Sequence, residues 1–180
     1  MNTNTQREWR FLDTEADRQA LIADMKRVRR AVITLARGVP MDKHAEPRYH
    51  GWSLSAMLMH LYVIDSLGML QIKAALIGIS PRLPMAALNG FNDFCARIFK
   101  HRLIATTIRQ IETHQERISA FILSLPIEKF TLPVWHPPSG SYLTVERAVQ
   151  AYFLFHWEEH LATMHKVDGI HYEPPNFGRA

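Results

Sequence analysis

Apolar residues recur at helical spacing through almost the whole chain, and this periodicity limits the fold more than any other feature of the sequence. In the first segment they alternate in steps of four and three residues, which places them on one face of a helix. These residues are Leu21, Met25, Val28, Val32 and Leu35. Thr14 and Asp17 form a capping-box pattern before the segment, and Gly38 and Pro40 end it. The pattern predicts a first helix from Thr14 to about Arg37.

The second helical segment lies in the most apolar part of the chain, residues 51–79. Ser53 is a suitable N-cap residue at its start. Four polar residues interrupt the apolar run, so it never reaches the ~18 uninterrupted apolar residues that a membrane span needs. They are His60, Asp65, Gln71 and Lys73. We therefore predict a buried helix and no membrane partner.

Two more helical segments complete the chain. Prolines and a glycine punctuate residues 81–90, which we interpret as a connection before a helical region from Phe91 to about Ser124, broken near Lys100. Residues 130–143 then form a proline-rich passage, typical of a hairpin-like crossover loop. Beyond it, an N-cap threonine, Thr144, opens the last helix, which runs to about Lys166. Four long helices with one long connection predict an all-α four-helix bundle.

Length and composition fit one domain. We assign residues 1–180 to a single domain, with a core of about 14–166 and an extended C-terminal tail at 167–180. Cys95 is the only cysteine, so an internal disulfide is excluded. The polar, acid-containing N-terminus lacks the features of a secretory signal or a transit peptide. We expect a cytoplasmic protein.

The chain carries a net charge of +4, and part of the excess lies on the first helix. Lys26, Arg27, Arg29 and Arg30 fall between the apolar positions, which predicts that they share the solvated face. No zinc-finger, basic-zipper or RNA-recognition pattern accompanies them. We therefore expect no nucleic-acid partner.

Three histidines carry the strongest chemical signal in the sequence. His156 and His160 are four residues apart, so they share one face of the last helix. We place them on an inward stripe with Val149, Tyr152, Phe153, Thr163 and Met164. His60 lies at the edge of the apolar stripe of the second helix. Two imidazoles hold a divalent metal poorly and three make a site, so we predict that these histidines bind a metal. The alternative is three separate core histidines, each with its own hydrogen-bond partner.

Neighbouring residues suggest further roles. Glu159 is a candidate proton acceptor or orienting group, and its alternative is a solvent-facing acid. His136 and Trp135, in the crossover loop, are candidates for a pocket wall, and His136 also for a fourth ligand, the alternative being a surface histidine. Trp157 stands where the H-E-x-x-H motif needs its glutamate, which excludes zincin-type protease chemistry.

Together these features resemble the DinB/YfiT-type superfamily. The shared pattern is W-S-x-x-x-x-x-x-H-L at the start of the second helix (Trp52, Ser53, His60), the proline-rich crossover, and H-x-x-x-H-L in the last helix (His156, His160). The resemblance covers roughly residues 14–166. It implies a metal site, usually zinc or nickel, built from one histidine of the second helix and two of the fourth.

The resemblance also implies an activity. Characterised relatives include transferases and isomerases in which the metal activates a low-molecular-weight thiol such as mycothiol, bacillithiol or glutathione. We accordingly expect a metal-dependent, thiol-dependent transferase or isomerase, or a hydrolase, acting on a small-molecule substrate. The alternative is a non-catalytic bundle that binds a metal or small ligand for sensing, sequestration or protection. We also expect a homodimer.

Overall fold

The computed structural model describes residues 8–168. Its helices are α1 (Glu15–Gly38), α2 (Leu54–Leu76), α3 (Met85–Ile98), α4 (Ile104–Ser124), α5 (Val145–Gln150) and α6 (His156–Asp168). Two strands precede α5, namely β1 (Pro133–His136) and β2 (Ser141–Thr144). A π-helical turn, Ala151–Phe155, joins α5 to α6, and we call the three together the last helix. Val167 and Asp168 extend α6, and the remainder of the predicted tail lies outside the described residues.

The helices form the predicted four-helix bundle. α4 packs against both α1 and α2, and the last helix does the same on the other side. α1 and α2 therefore stand diagonally opposite each other. The shorter α3 packs on the outer side of α2. The apolar stripes of the four long helices meet in one continuous core.

Three of the four predicted helix starts are confirmed by their caps. The Thr14 hydroxyl accepts the Asp17 backbone N–H at 3.1 Å, and the Asp17 carboxylate accepts the Thr14 backbone N–H at 3.2 Å. This reciprocal capping box satisfies two amides that have no partner within the helix. Ser53 and Thr144 each accept the backbone N–H three positions later.

The prediction for residues 81–90 is wrong in its second half, because α3 begins at Met85. Pro84 occupies the N-cap position, where a helix has no use for the missing N–H, so this proline starts the helix instead of interrupting it. Gly90 continues the helix on its exposed side. The predicted break near Lys100 is confirmed, since α3 and α4 are separate helices.

The proline-rich passage is a short antiparallel hairpin, as predicted. Pro133 pairs with Thr144, and the strands are joined by a tight turn that ends at Gly140, whose φ is 59°. The Trp135 backbone N–H donates to the Ser80 hydroxyl at 2.9 Å. The hairpin is thereby fastened to the connection between α2 and α3.

α2 occupies the interior of the bundle. By length and composition alone it is apolar enough to cross a membrane, but 67% of its most apolar window is buried within the protein. Such burial is typical of the core helix of a globular bundle. The finding agrees with the buried helix predicted from the sequence.

One contact of α2 tests how tightly the bundle is packed. A Cβ added to Gly68 would lie 2.5 Å from Cγ of Tyr152 in the last helix. We expect Gly68→Ala to lower the free energy of unfolding by about 1–3 kcal/mol, because overpacking outweighs the ~1 kcal/mol gain in helix propensity. Gly90→Ala is the matched control, since a Cβ there meets nothing within 4 Å. It should be neutral or stabilising by up to about 1 kcal/mol. Equal stabilisation of both variants in urea titrations would contradict this packing.

Candidate metal centre

The three predicted histidines converge on one point. The Nε2 atom of His60 lies 3.1 Å from that of His156 and 3.2 Å from that of His160. The Nε2 atoms of His156 and His160 are 3.1 Å apart. The three nitrogens form a nearly equilateral triangle between α2 and α6.

The chemistry of this donor set fits a cation. A neutral imidazole nitrogen is either a donor or an acceptor, so three such nitrogens in mutual contact cannot make three hydrogen bonds. At least two of the three nitrogens would be of the same kind, so one contact would place two lone pairs or two N–H groups against each other. A divalent ion resolves this, because all three lone pairs can point at it with bonds of about 2.0–2.1 Å. The triangle is therefore better explained as a ligand set than as a hydrogen-bonded cluster.

The protonation states favour ligation. Burial, and to a smaller extent the neighbouring His160, lowers the pKa of His60 to about 3. Burial likewise lowers the pKa of His160 to about 4, with a smaller effect from His50. The pKa of His156 lies well below its ordinary value, first because of burial and then because of the adjacent imidazoles. All three rings are thus neutral at pH 7, which is the form that binds metal.

The surroundings orient the rings mostly by packing. The Trp52 ring meets the His60 ring edge-on, with centroids 4.9 Å apart, and the Asn92 side chain hydrogen-bonds His60. The Nδ1 atoms of His156 and His160 are buried and have no hydrogen-bond partner among the described residues. These two rings are therefore held by contacts with their neighbours and not by carboxylates.

A cavity of about 540 Å³ opens directly beside the triangle, and we call it the histidine cavity. All three histidines lie in its wall. The remaining wall comes mainly from α2, the connection between α2 and α3, α3, the hairpin and the π-turn of the last helix. Its size lies within the range of small-molecule sites.

The other predicted site residues fall in different places. Glu159 is exposed and lines the histidine cavity. His136 also lines it, with its ring 5.4 Å from that of Tyr152, but it is not part of the three-histidine cluster. Trp135 is not among the described residues that line the cavity. Its indole N–H donates to the Leu83 carbonyl at 2.9 Å, so it fixes the hairpin instead of forming the predicted wall.

The sequence prediction for Arg29 is wrong. Lys26 and Arg27 lie on the outer face of α1 as expected, paired with Glu116 and Asp24. Arg29, by contrast, is fully buried. It lies one turn from Met25 and faces the bundle interior, where no solvent reaches it.

Arg29 forms the centre of a buried polar cluster. Its guanidinium donates to the Asp65 carboxylate at 2.8 Å and to the Phe153 carbonyl at 2.6 Å. The Trp157 indole N–H donates to the other Asp65 oxygen at 2.9 Å, and the Arg29 guanidinium lies 4.4 Å from the Trp157 ring centroid. Burial raises the pKa of Asp65 to about 6, opposed by Arg29. The short, nearly dry contact with a permanently charged guanidinium favours the ionised pair.

This cluster stabilises the π-helical turn just before the ligands. A helix that departs from the α pattern leaves carbonyls without their usual amide partners. The Phe153 carbonyl, in the middle of the turn, is one that Arg29 satisfies. Because Trp157 follows His156 directly and contacts the same arginine, the cluster also fixes the start of α6.

The π-turn keeps one face of the last helix in the core. Val149, Phe153, Trp157 and Leu161 are fully buried although they follow one another in steps of four. In a straight α-helix Val149 and Leu161, twelve residues apart, would point roughly 120° away from each other. One extra residue in a π-turn takes up about 100° of this difference. The buried stripe therefore continues through Trp157 and Leu161.

The ligand histidines lie beside this stripe, at the boundary of the core. His156 and His160 are partly exposed towards the histidine cavity, and Thr163, which is predicted on the inward face, is also partly exposed. The predicted inward stripe is thus buried at Val149, Tyr152, Phe153 and Met164, and half-buried at His156, His160 and Thr163. The boundary position leaves both imidazole rings in contact with the histidine cavity.

A second cavity, of about 680 Å³, lies elsewhere and is larger. It is lined by basic side chains of α1 and the following loop, among them Arg27, Arg30, Lys43 and Arg48. None of the three clustered histidines reaches it. Cavity size alone therefore does not identify the candidate functional site. The three-histidine cluster favours the histidine cavity.

Comparisons with known proteins bear on the fold. No protein-family model and no curated protein matches the sequence. Among solved structures, the chain is similar to YfiT from Bacillus subtilis, with a TM-score of 0.72 and 15% sequence identity over 92% of this chain and 95% of that chain. YfiT is described as a probable metal-dependent hydrolase with an unusual four-helix bundle topology. The predicted resemblance is confirmed at the level of the fold, which is a YfiT-like four-helix bundle.

The metal site is tested by removing one ligand. We expect tag-free protein to bind one divalent metal, and His156→Ala to weaken binding by more than about 100-fold, since even loss of an outer hydrogen-bonding partner costs 10–100-fold. Elemental analysis and competition with a chelating dye measure this. His101→Ala, at an exposed histidine, is the control and should bind normally. Near-stoichiometric metal in His156→Ala would rule out the site.

The buried ion pair is tested by a double-mutant cycle. Arg29→Met should lower the free energy of unfolding by about 3–5 kcal/mol, because it leaves the Asp65 carboxylate buried without a counter-charge. Asp65→Leu strands the arginine and should cost a similar amount. The double variant should cost clearly less than the two single variants together. Additive costs in urea unfolding would show that the two side chains do not act as a pair.

Proposed function

We propose that the protein is a divalent-metal-dependent hydrolase of a small molecule bound in the histidine cavity. One observation carries this proposal: the triangle of His60, His156 and His160 opens onto a cavity large enough for a substrate. The likeness to YfiT, whose description names metal-dependent hydrolysis, points the same way.

The number of ligands supports catalysis over simple storage of a metal. Structural zinc sites are closed by four protein ligands, whereas catalytic sites keep three and leave a position for water or substrate. Within residues 8–168, no fourth histidine, cysteine or carboxylate joins the cluster. Three neutral imidazoles also leave the full charge of the ion uncompensated. Zinc and nickel both suit such a donor set.

When bound, a divalent metal at this site supplies a Lewis acid that lowers the pKa of a coordinated water or thiol. The protein itself positions the substrate beside the three histidines and excludes solvent from the cavity. The hairpin and α3 wall the cavity, and His136 packs over Tyr152 at its side. In hydrolysis, the water oxygen bonds to the substrate carbonyl carbon, the bond from that carbon to the leaving group breaks, and the water proton passes to the leaving group. Glu159, in the cavity wall, is our candidate for carrying that proton.

Two alternatives from the sequence remain predictions. Thiol transfer needs the same open position, with a low-molecular-weight thiol in place of water. A non-catalytic role in sensing, sequestration or protection needs only the metal or a ligand in the cavity. The expected cytoplasmic homodimer, the expected lack of nucleic-acid and membrane partners, and the choice between zinc and nickel also remain predictions.

Activity assays separate these alternatives. Zinc-loaded and nickel-loaded protein should hydrolyse members of an ester and amide panel, and metal-free protein should not. Glu159→Gln should lower kcat by about 100-fold or more with unchanged metal content, the range of general acid–base catalysis. His101→Ala should match the unmodified protein.

Opposite outcomes have clear meanings. If candidate thiols produce a sulfur-to-cobalt charge-transfer band in cobalt-substituted protein while no ester or amide turns over, thiol transfer replaces hydrolysis. If the protein binds metal but no thiol produces a charge-transfer band and no ester or amide is hydrolysed, the non-catalytic alternative is favoured.

A further inference from the structure

The wall of the histidine cavity is mostly apolar away from the three histidines. Away from the three histidines it consists largely of aliphatic side chains and prolines, such as Ile64, Leu67, Leu83 and Leu88. None of the residues lining it, within the described range 8–168, is a lysine or an arginine. Its single acid, Glu159, is exposed. Among residues 8–168, the wall therefore offers no permanently charged cation to a substrate, and outside the three histidines its one basic side chain is the imidazole of His136.

This absence contrasts with the rest of the molecule. The chain has a net charge of +4, and basic side chains line the second cavity, including Arg27, Arg30 and Lys43. Arg82 lies beside the hairpin over Trp135 and is not part of the wall. Among residues 8–168, the lysines and arginines thus lie outside the wall of the histidine cavity, including Arg29, which is buried beneath it.

The wall composition decides what can bind far from the metal. A carboxylate or phosphate there would lose hydration without gaining a lysine or arginine as a permanent counter-charge, which is costly. An apolar chain would instead gain about 0.8 kcal/mol for each methylene removed from water, equal to roughly a fourfold gain in affinity. A volume of about 540 Å³ accommodates roughly eighteen non-hydrogen atoms at about 30 Å³ each.

We propose that the histidine cavity selects substrates whose portion remote from the metal is uncharged and apolar, such as the acyl chain of a medium-length ester or amide. This inference rests on the proposed function, since it assumes that the reacting group lies at the three histidines. It also disfavours carboxylate-bearing thiols as partners in the thiol-transfer alternative, because their carboxylates do not match this wall.

Alkyl hydroxamates test the proposal by binding alone, since the hydroxamate group chelates the metal whether or not the protein is catalytic. Butano-, hexano- and octanohydroxamate are titrated by calorimetry against zinc-loaded protein, together with suberic monohydroxamate, which has the octanoyl length and a terminal carboxylate. We expect affinity to rise about threefold to fourfold per methylene until the cavity is full. The terminal carboxylate should weaken binding at least about tenfold relative to octanohydroxamate.

A charge introduced at the mouth of the cavity should change this selectivity. Leu70 lines the cavity and is 64% exposed, so Leu70→Arg should fold normally. We expect this variant to bind suberic monohydroxamate several-fold more tightly than the unmodified protein does. Leu103→Arg, at an exposed leucine outside the cavity, is the control and should not.

The outcomes distinguish this inference from the proposed function. Equal affinity for the charged and uncharged chains, or no effect of chain length, overturns the selectivity even if esters are hydrolysed. Selective hydroxamate binding without turnover of any ester or amide supports the proposed selectivity and contradicts the proposed hydrolase activity. If no metal binds, the primary amides of the same chains are titrated against metal-free protein by tryptophan fluorescence. If affinity again rises with chain length and falls with a terminal carboxylate, the inference is supported. If neither trend is seen, it is overturned.

Discussion

The buried ion pair between Arg29 and Asp65 is the interaction on which the rest of this structure depends. It joins α1 to α2, the two helices that stand diagonally opposite across the bundle. Removing two charges from water is costly, and additional hydrogen bonds to the two buried ions offset part of that cost. Here the Trp157 indole and the Phe153 carbonyl bring in the last helix, and the His114 ring of α4 hydrogen-bonds the Asp65 backbone. The four long helices thus meet at one polar point inside an apolar core.

That point lies directly beneath the candidate metal centre. The π-turn at Ala151–Phe155 is an irregularity that a core without polar groups would not favour, because its carbonyls would lack partners. With one of these carbonyls satisfied by Arg29, the turn can rotate α6 so that Trp157 fills the core while His156 and His160 remain at its boundary. The irregular turn and the ligand geometry are therefore two consequences of one hydrogen-bonded cluster.

The site combines features that are individually costly. Three imidazoles are buried close together in neutral form, and they face a cavity whose walls offer little to a charged molecule. A cation relieves the repulsion among the nitrogen lone pairs, and an apolar chain in the cavity dries the surroundings of that cation. Weak screening in such a dry site strengthens every electrostatic interaction made by the metal. In the function proposed above, a metal in this site would therefore interact more strongly with a bound substrate than it would in bulk water.

The sequence by itself determined the elements with local causes. Capping at Thr14, Ser53 and Thr144 and the spacing of apolar residues depend only on neighbours in the chain, so the four long helices could be predicted. The pairing of His156 with His160 follows from helical periodicity, and His60 completes the cluster once the bundle is assumed. The early start of α3 was missed because Pro84 can either end a loop or begin a helix.

Only the tertiary structure decided the features that depend on distant partners. An arginine in a helical pattern is normally exposed, and Arg29 is buried only because Asp65, 36 residues away, lies opposite it. The π-turn has no local sequence signal, since it is stabilised by that same arginine from another helix. The way the hairpin docks likewise decides which of its residues lines the cavity. His136 lies in the cavity wall, whereas the Trp135 indole is hydrogen-bonded to the Leu83 carbonyl. Periodicity fixes which face a residue occupies, but long-range contacts between helices decide what that face meets.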